Sequence, residues 1–281
     1  WVSFTVLFSS YYPKEEAQKA AGLATFFSIV GQLLATSVGG HVAQALGWAA
    51  PFILGTIVGL VGFLLSFKVK EAPWVKRQPL QIRELLTVGR ERDLLIVSAL
   101  AILTQFMTFA TAYGFTPIHA ATIGATQGDQ SFLSFYSNLP MALAALLVSG
   151  RFVARYGERP IVVWGFILGA VGAAIVPFTR TLPALYVTQA LGGLGRGITF
   201  PVLMGLSIKT VPEEKRATAM GFFQAIYALG MFGGPLLVGI IGDISGLTGG
   251  FLTTGFLGVA GSLGAYRLLP GSPPQKGRRA V

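Results

Sequence analysis

Polar and charged residues cut this chain into apolar runs that are too long for ordinary soluble helices. Eight stretches, 20–40, 49–67, 94–116, 132–149, 161–178, 182–206, 217–241 and 250–266, hold a single charged residue between them, Arg196. About 17 to 25 such residues cross roughly 30 Å of hydrocarbon as a helix, so each run predicts one transmembrane helix. Residues 1–12 read as the second half of a ninth. The strands of a membrane β-barrel would be about ten residues long with strict alternation, a pattern these runs lack. The expected class is therefore an all-α membrane protein.

Composition agrees. Hydrophobic residues make up 53% of the chain and charged residues 11%, against about 25% charged in soluble domains. The 37 glycines suit membrane helices, whose backbones approach closely. The absence of cysteine removes disulfides, thiolate metal sites and cysteine nucleophiles. The net charge of +10 reads as topology. Linkers 13–19, 68–93, 150–160, 207–216 and 267–281 hold 19 of the 21 Lys and Arg residues, the opposite side holds Arg180 alone, and Arg196 lies inside a run. Basic loops stay inside, so the C-terminus is expected in the cytoplasm of a multi-pass protein of the cell membrane. No nucleic-acid partner is needed to explain the charge.

An internal repeat sets the architecture. A shift of 199 residues maps Pro13, Gly22, Gly31, Gly40, Gly47 and Phe52 onto Pro212, Gly221, Gly230, Gly239, Gly246 and Phe251. Repeats of this length in so apolar a chain imply a pseudo-symmetric transporter-like bundle. The linker 68–93, with a surface helix expected after Pro79, separates two and a half spans from six. If each half needs six spans, the counterpart of Asp93 lies about 106 residues before Trp1 at that 199-residue offset, and three spans with half of a fourth are expected upstream. Trp rather than Met at position 1 agrees with a truncated or processed start.

Two local motifs carry a family resemblance. Gly150, Arg155, Gly157 and Arg159 resemble the G-x-L-a-D-r-x-G-r-k loop of the major facilitator superfamily, with Ala154 in place of its Asp. Gly221, Gly230, Gly234, Pro235 and Gly239 resemble the glycine-rich antiporter motif G-x8-G-x3-G-P-x2-G-G, with Val238 in place of one glycine. An earlier copy keeps Gly22, Gly31, Gly39 and Gly40, with Ala35 and Thr36 in place of the central Gly-Pro. The resemblance implies a helical bundle of two pseudo-symmetric halves with about eight full helices and one partial helix present here. Residues 1–67 would close the first half, with the partial helix 4 and helices 5 and 6. The cytoplasmic loop 68–93 follows, then helices 7 to 12 over 94–269 and a cytoplasmic tail over 270–281. It also implies a monomer. Physically, both motifs also read as turn breakers and packing glycines, and Pro235 can kink its helix.

Arg196 is the most informative single residue. A charge at mid-span costs about 2.5–3.5 kcal/mol on insertion scales, so it usually faces a cavity or a partner. Gln189, Gly193, Thr199 and Phe200 share its helical face by steps of three, four and seven. The tenth and seventh helices line the substrate route in the resembled family, and the seventh carries Thr104, Gln105, Thr108, Phe109, Thr111 and Tyr113. Asn138, Gln32, Gln224 and Tyr227 complete the candidate substrate cavity. For Arg196 the alternative is a bond to carbonyls freed near Pro201, and for the threonines it is a bond to their own backbone. His41 and His119 fall at outer span ends and read as capping residues.

All 11 Asp and Glu residues lie in loops or at span ends. Paired-carboxylate or metal-dependent hydrolysis thus finds no candidates in the spans, and no enzyme, cofactor or metal is expected. The reading is a secondary transporter for a small organic molecule working by alternating access, with proton-coupled efflux of drug-like or metabolite compounds placed first. Uptake of a sugar or organic anion, by symport or facilitation, is the alternative within transport. A non-transporting scaffold or sensor, or an inactive gene fragment, is the alternative outside it.

Overall fold

The computed structural model describes residues 17–69, 87–148, 152–209, 211 and 215–271. Among them every regular element is helical: α1 (Ala17–Leu46), α2 (Ala49–Ser66), α3 (Arg92–Ala110), a π-helical turn (Thr111–Phe115), α4 (Thr116–Thr122), α5 (Gln127–Leu147), α6 (Val153–Tyr156), α7 (Glu158–Ile175), a 3₁₀ turn (Val176–Phe178), α8 (Leu182–Lys209) and α9 (Arg216–Leu268). The expected all-helical membrane fold is what the chain adopts. By length and apolar composition, Ala49–Ser66, Arg92–Thr122, Glu158–Phe178, Leu182–Lys209 and Thr218–Leu268 can each cross a bilayer. The partial span at 1–12, Gly150 and most of the surface helix expected after Pro79 lie outside the described residues.

Helix ends follow the glycines. α9 runs to Leu268 with one non-helical residue, Gly246, at φ 76° and ψ 170°. Its counterpart at the 199-residue offset, Gly47, has φ 88° and separates α1 from α2. Only glycine adopts such a conformation without steric cost, so both copies of the repeat turn the same corner with the same residue. Pro235 is different. The arm 216–245 keeps helical backbone angles through it, and the break in the helix falls at Gly246.

Two compact units divide the chain. One combines residues 1–79 with 126–135, and the other combines 80–125 with 136–281. In the first unit α2 buries none of its residues, whereas Gly40 of α1 sits against Ser131 and lies so close to the Gln127 carbonyl that a methyl would be 2.6 Å from its oxygen.

The second unit has the larger core. Leu94, Val97, Leu100, Ala101 and Met107 of α3 meet Val162, Phe166 and Ala170 of α7, Leu203 of α8, and Ala219, Phe223 and Ala265 of α9. Lipid is as apolar as leucine, so close backbone packing rather than water exclusion holds such helices together. Glycines provide that closeness. A methyl on Gly234 would lie 2.6 Å from the Phe106 oxygen of α3, and one on Gly195 would lie 2.7 Å from Gly165 O and Gly169 N of α7.

Candidate functional site

Arg196 sits halfway along α8, about 21 Å from Leu182 at 1.5 Å per residue. Its side chain is 9% exposed. Gly193 and Gly197 flank it and press α8 onto the Ser137 and Met141 carbonyls of α5. The close crossing lets the guanidinium reach the neighbouring helix, where Nη2 donates to Ser137 Oγ. Its Nε is buried with no hydrogen-bond partner among the described residues, and so is Nδ2 of Asn138, which follows Ser137 on α5.

A cavity of about 30 Å³ opens beside Arg196, between α3, α7 and α8. From α8 it is lined by Thr188, Gln189, Gly192, Gly195, Arg196 and Thr199, and from α3 by Thr104, Met107 and Thr108, with Thr111 following. Such a volume holds about two waters. The hydroxyl protons are already committed. Thr104 donates to Leu100 O, Thr108 to Thr104 O, Thr188 to Leu185 O and Thr199 to Gly195 O, at 2.7–3.1 Å. Thr111 likewise donates to Met107 O at 2.6 Å. The threonines therefore bond their own backbone and also line the cavity, offering it lone pairs and no protons.

The structure divides the sequence-predicted site residues into groups. Arg196, Gln189, Thr199 and Thr108 share the cavity, and Asn138 is buried beside the residue that anchors Arg196. Gln105 is buried outside the lining. Phe200, expected on the Arg196 face, turns to the arm 216–245, where its ring lies 5.4 Å from Tyr227 and 6.2 Å from Phe223. Steps of three, four and seven residues cover a wide arc, and this arc spans both the cavity and the aromatic cluster. Gln224 is half-buried on the same arm. The Phe109 and Tyr113 rings meet at a tilt of 56° with centroids 5.3 Å apart, and Tyr113 is exposed. Gln32 is exposed on α1, in the first unit.

Of the glycine-motif residues, Gly230 and Gly234 pack on α3, Gly239 touches the Phe115 ring and Gly221 meets nothing within 4 Å. Gly157, with φ 82°, caps α6 and begins α7. Arg155 lies over the Tyr156 ring at 5.3 Å and Arg159 over Tyr266 at 4.2 Å. Beside them Glu158 pairs with Lys209 at 2.6 Å. The two histidines hold local structure. His41 Nδ1 lies 2.8 Å from Ser37 O, and His119 Nε2 lies 3.2 Å from both Thr179 oxygens.

Three features escaped the sequence reading. Ser137 is the anchor of Arg196. Tyr136 and Tyr186 stack at 4.9 Å and 16° on the same pair of helices. Gly165, Gly169 and Gly172 of α7 form the third cavity wall, and their spacing of four and three was a visible signal.

A model of the Major Facilitator Superfamily matches residues 1–134 and 94–280. The multi-drug resistance efflux pump PmrA homolog of Lactococcus lactis is 25% identical over 239 residues, 83% of this chain and 59% of that protein. The tetracycline resistance protein, class H, of Pasteurella multocida is 29% identical over 113 residues, 40% of this chain and 28% of that protein. A solved D-xylose-proton symporter superposes with a TM-score of 0.72 at 17% identity, covering 95% of this chain and 66% of that one. The chain thus spans less than two thirds of the length of these proteins. They are transporters rather than enzymes, and the structural likeness, at its low identity, speaks to the fold alone. With helical bundle, repeat and motifs in agreement and the family model extending over nearly every residue, this chain belongs to the Major Facilitator Superfamily.

Proposed function

We propose that the protein is a secondary active transporter that moves a small organic molecule out of the cell in exchange for protons. The observation that carries this reading is the buried guanidinium of Arg196 beside a hydroxyl-lined cavity. A charge at that depth is expensive unless a pathway or a ligand needs it. In this reading residues 1–67 end the first half of the bundle, 68–93 link the halves on the cytoplasmic side, 94–269 form the second half and 270–281 are a cytoplasmic tail. The 19-to-1 distribution of basic residues supports that orientation. Rocking of two repeats about a fixed site is the motion such symmetry implies. Outward, proton-driven movement is supported by the antiporter-like glycines of the arm 216–245 and by relatives named as an efflux pump and a tetracycline resistance protein. The working unit is proposed to be a monomer.

Purified protein in proteoliposomes with a trapped pH dye tests the reading. With an imposed pH gradient, at least one member of a panel of tetracyclines, lipophilic dyes and small organic acids is expected to drive proton movement that protein-free vesicles lack. Movement indifferent to the gradient refutes proton coupling. Transport itself is checked by single introduced cysteines, which label cleanly because the chain has none of its own. Access of a membrane-impermeant thiol reagent from one side only, whatever compound is present, refutes alternating access and leaves a scaffold or sensor.

A further inference from the structure

We infer that the molecule taken by this site carries a carboxylate next to a hydrogen-bond donor, as in an α-hydroxy or α-amino acid head group, with Arg196 as its counter-ion. The inference rests on the transport reading above and gives it a substrate class.

The first reason is charge. Arg196 is nine-tenths buried, yet among the described residues its one hydrogen-bond partner is the neutral hydroxyl of Ser137. Among the described residues no carboxylate lines the cavity. The acidic residues of the surrounding helices, Asp93 of α3, Asp129 of α5 and Glu158 of α7, fall in the first turns of those helices, far from the middle of α8. Water could fill the space but would leave the guanidinium uncompensated, since buried charges are normally paired.

The second reason is the pattern of donors and acceptors. A buried donor of the lining, Arg196 Nε, has no hydrogen-bond partner among the described residues and calls for an acceptor group. The hydroxyls of Thr104, Thr108, Thr111 and Thr199 present the opposite need, because each has given its proton to its own helix, whereas Thr188 Oγ1 already accepts from Gln189 Nε2 at 3.5 Å. An inorganic anion such as chloride satisfies the guanidinium but faces the threonine lone pairs with none of the protons they accept. A carboxylate with an adjacent hydroxyl or ammonium satisfies both sides. The third reason is size. About 30 Å³, the room of about two waters, admits the two oxygens of a carboxylate tip and leaves the rest of a larger molecule outside the cavity.

The test is thermal unfolding of the full chain in detergent, in low-salt zwitterionic buffer, with sodium L-lactate, sodium propionate, methyl L-lactate or sodium chloride added. A ligand that binds only the folded protein raises the unfolding midpoint. L-Lactate is expected to raise it saturably. Propionate, which lacks the donor, should bind about tenfold more weakly, the loss of one hydrogen bond to the site, while the ester and chloride should have no effect. Arg196→Gln should abolish the lactate effect, Arg196→Lys should retain part of it, and Thr108→Val should bring lactate down towards propionate. The inference is overturned if lactate leaves the wild-type midpoint unchanged, if the ester or chloride matches lactate, or if Arg196→Gln responds as wild type does. The wild-type comparisons stand even if a variant fails to fold. Lactate stabilisation without flux in proteoliposomes would keep the carboxylate site and remove transport. Flux of uncharged compounds with no response to lactate would keep transport and remove the site.

Discussion

Two adjacent glycines of α9 are expected to respond oppositely to the same substitution. A methyl on Gly234 would lie 2.6 Å from Phe106 O and 3.2 Å from Ala110 N of α3, whereas one on Gly233 meets nothing within 4 Å. Ordinary contact begins at 3.4 Å, so Gly234→Ala lacks 3.4 − 2.6 = 0.8 Å of room. The obstruction is backbone, which cannot rotate away. The helices must separate or tilt, and a gap of that size forfeits about a quarter to a half of the dispersion energy of each contact along the seam. Overpacking of this kind costs about 1–3 kcal/mol. Gly233→Ala instead gains up to about 1 kcal/mol of helix propensity. The two variants should therefore differ by about 2–4 kcal/mol, from 1 + 1 to 3 + 1 on those ranges. Reversible unfolding in mixed micelles by increasing SDS, followed by tryptophan fluorescence, measures the difference directly. Equal stabilities, or a more stable Gly234→Ala, would refute backbone-to-backbone packing of α3 on α9.

Gly246→Ala places a side chain at φ 76° and ψ 170°; the same titration should show a loss of about 1–3 kcal/mol, and a loss below half of the lower figure would mean that the corner relaxes freely. Gly165→Ala puts a methyl into the space of the Thr199 hydroxyl at the cavity wall. It is expected to reduce flux in proteoliposomes to the protein-free level while circular dichroism stays helical, and undiminished flux would show that the cavity is not on the route. Lys209→Ala removes an ion pair whose lysine is 56% exposed. Its effect on stability should stay under about 1 kcal/mol, and a larger loss by thermal or SDS unfolding would mean the pair is more shielded than its exposure indicates.

The spans and the repeat were legible because both rest on single-residue signals that survive without an alignment. An apolar run of about twenty residues has few other uses, and the Gly47 and Gly246 corners appear where the 199-residue offset puts them. Arg196 stood out because a charge in such a run is rare. Which neighbours face it was not legible. Soluble helices reveal their inner face by an apolar stripe, but a membrane helix is apolar towards lipid and protein alike, so the stripe fades. Spacing alone therefore puts Phe200 on the cavity face, and nothing in the sequence marks Ser137 as the partner of Arg196. Equivalent positions also part company. Phe52 is 74% exposed and its counterpart Phe251 is 1% exposed, since a shared offset says nothing of what packs on each side chain.

The π-helical turn at Thr111–Phe115 acts as a phase shifter between two parts of one long rod. Its closing bond runs from Thr116 N–H to Thr111 O, five residues back, which adds one residue to the path that an α-helical turn would take. Upstream of it Thr104 and Thr108 look into the cavity, and downstream His119 reaches Thr179 and its ring lies 6.2 Å from that of Phe251. Deleting one residue of the turn would let it relax to an ordinary helix and rotate everything beyond it by about 100°. His119 would then swing away from Thr179 while the threonines kept their places. The extra residue is what allows a single stretch of chain to serve the cavity at one end and the Thr179 contact at the other at incompatible angles.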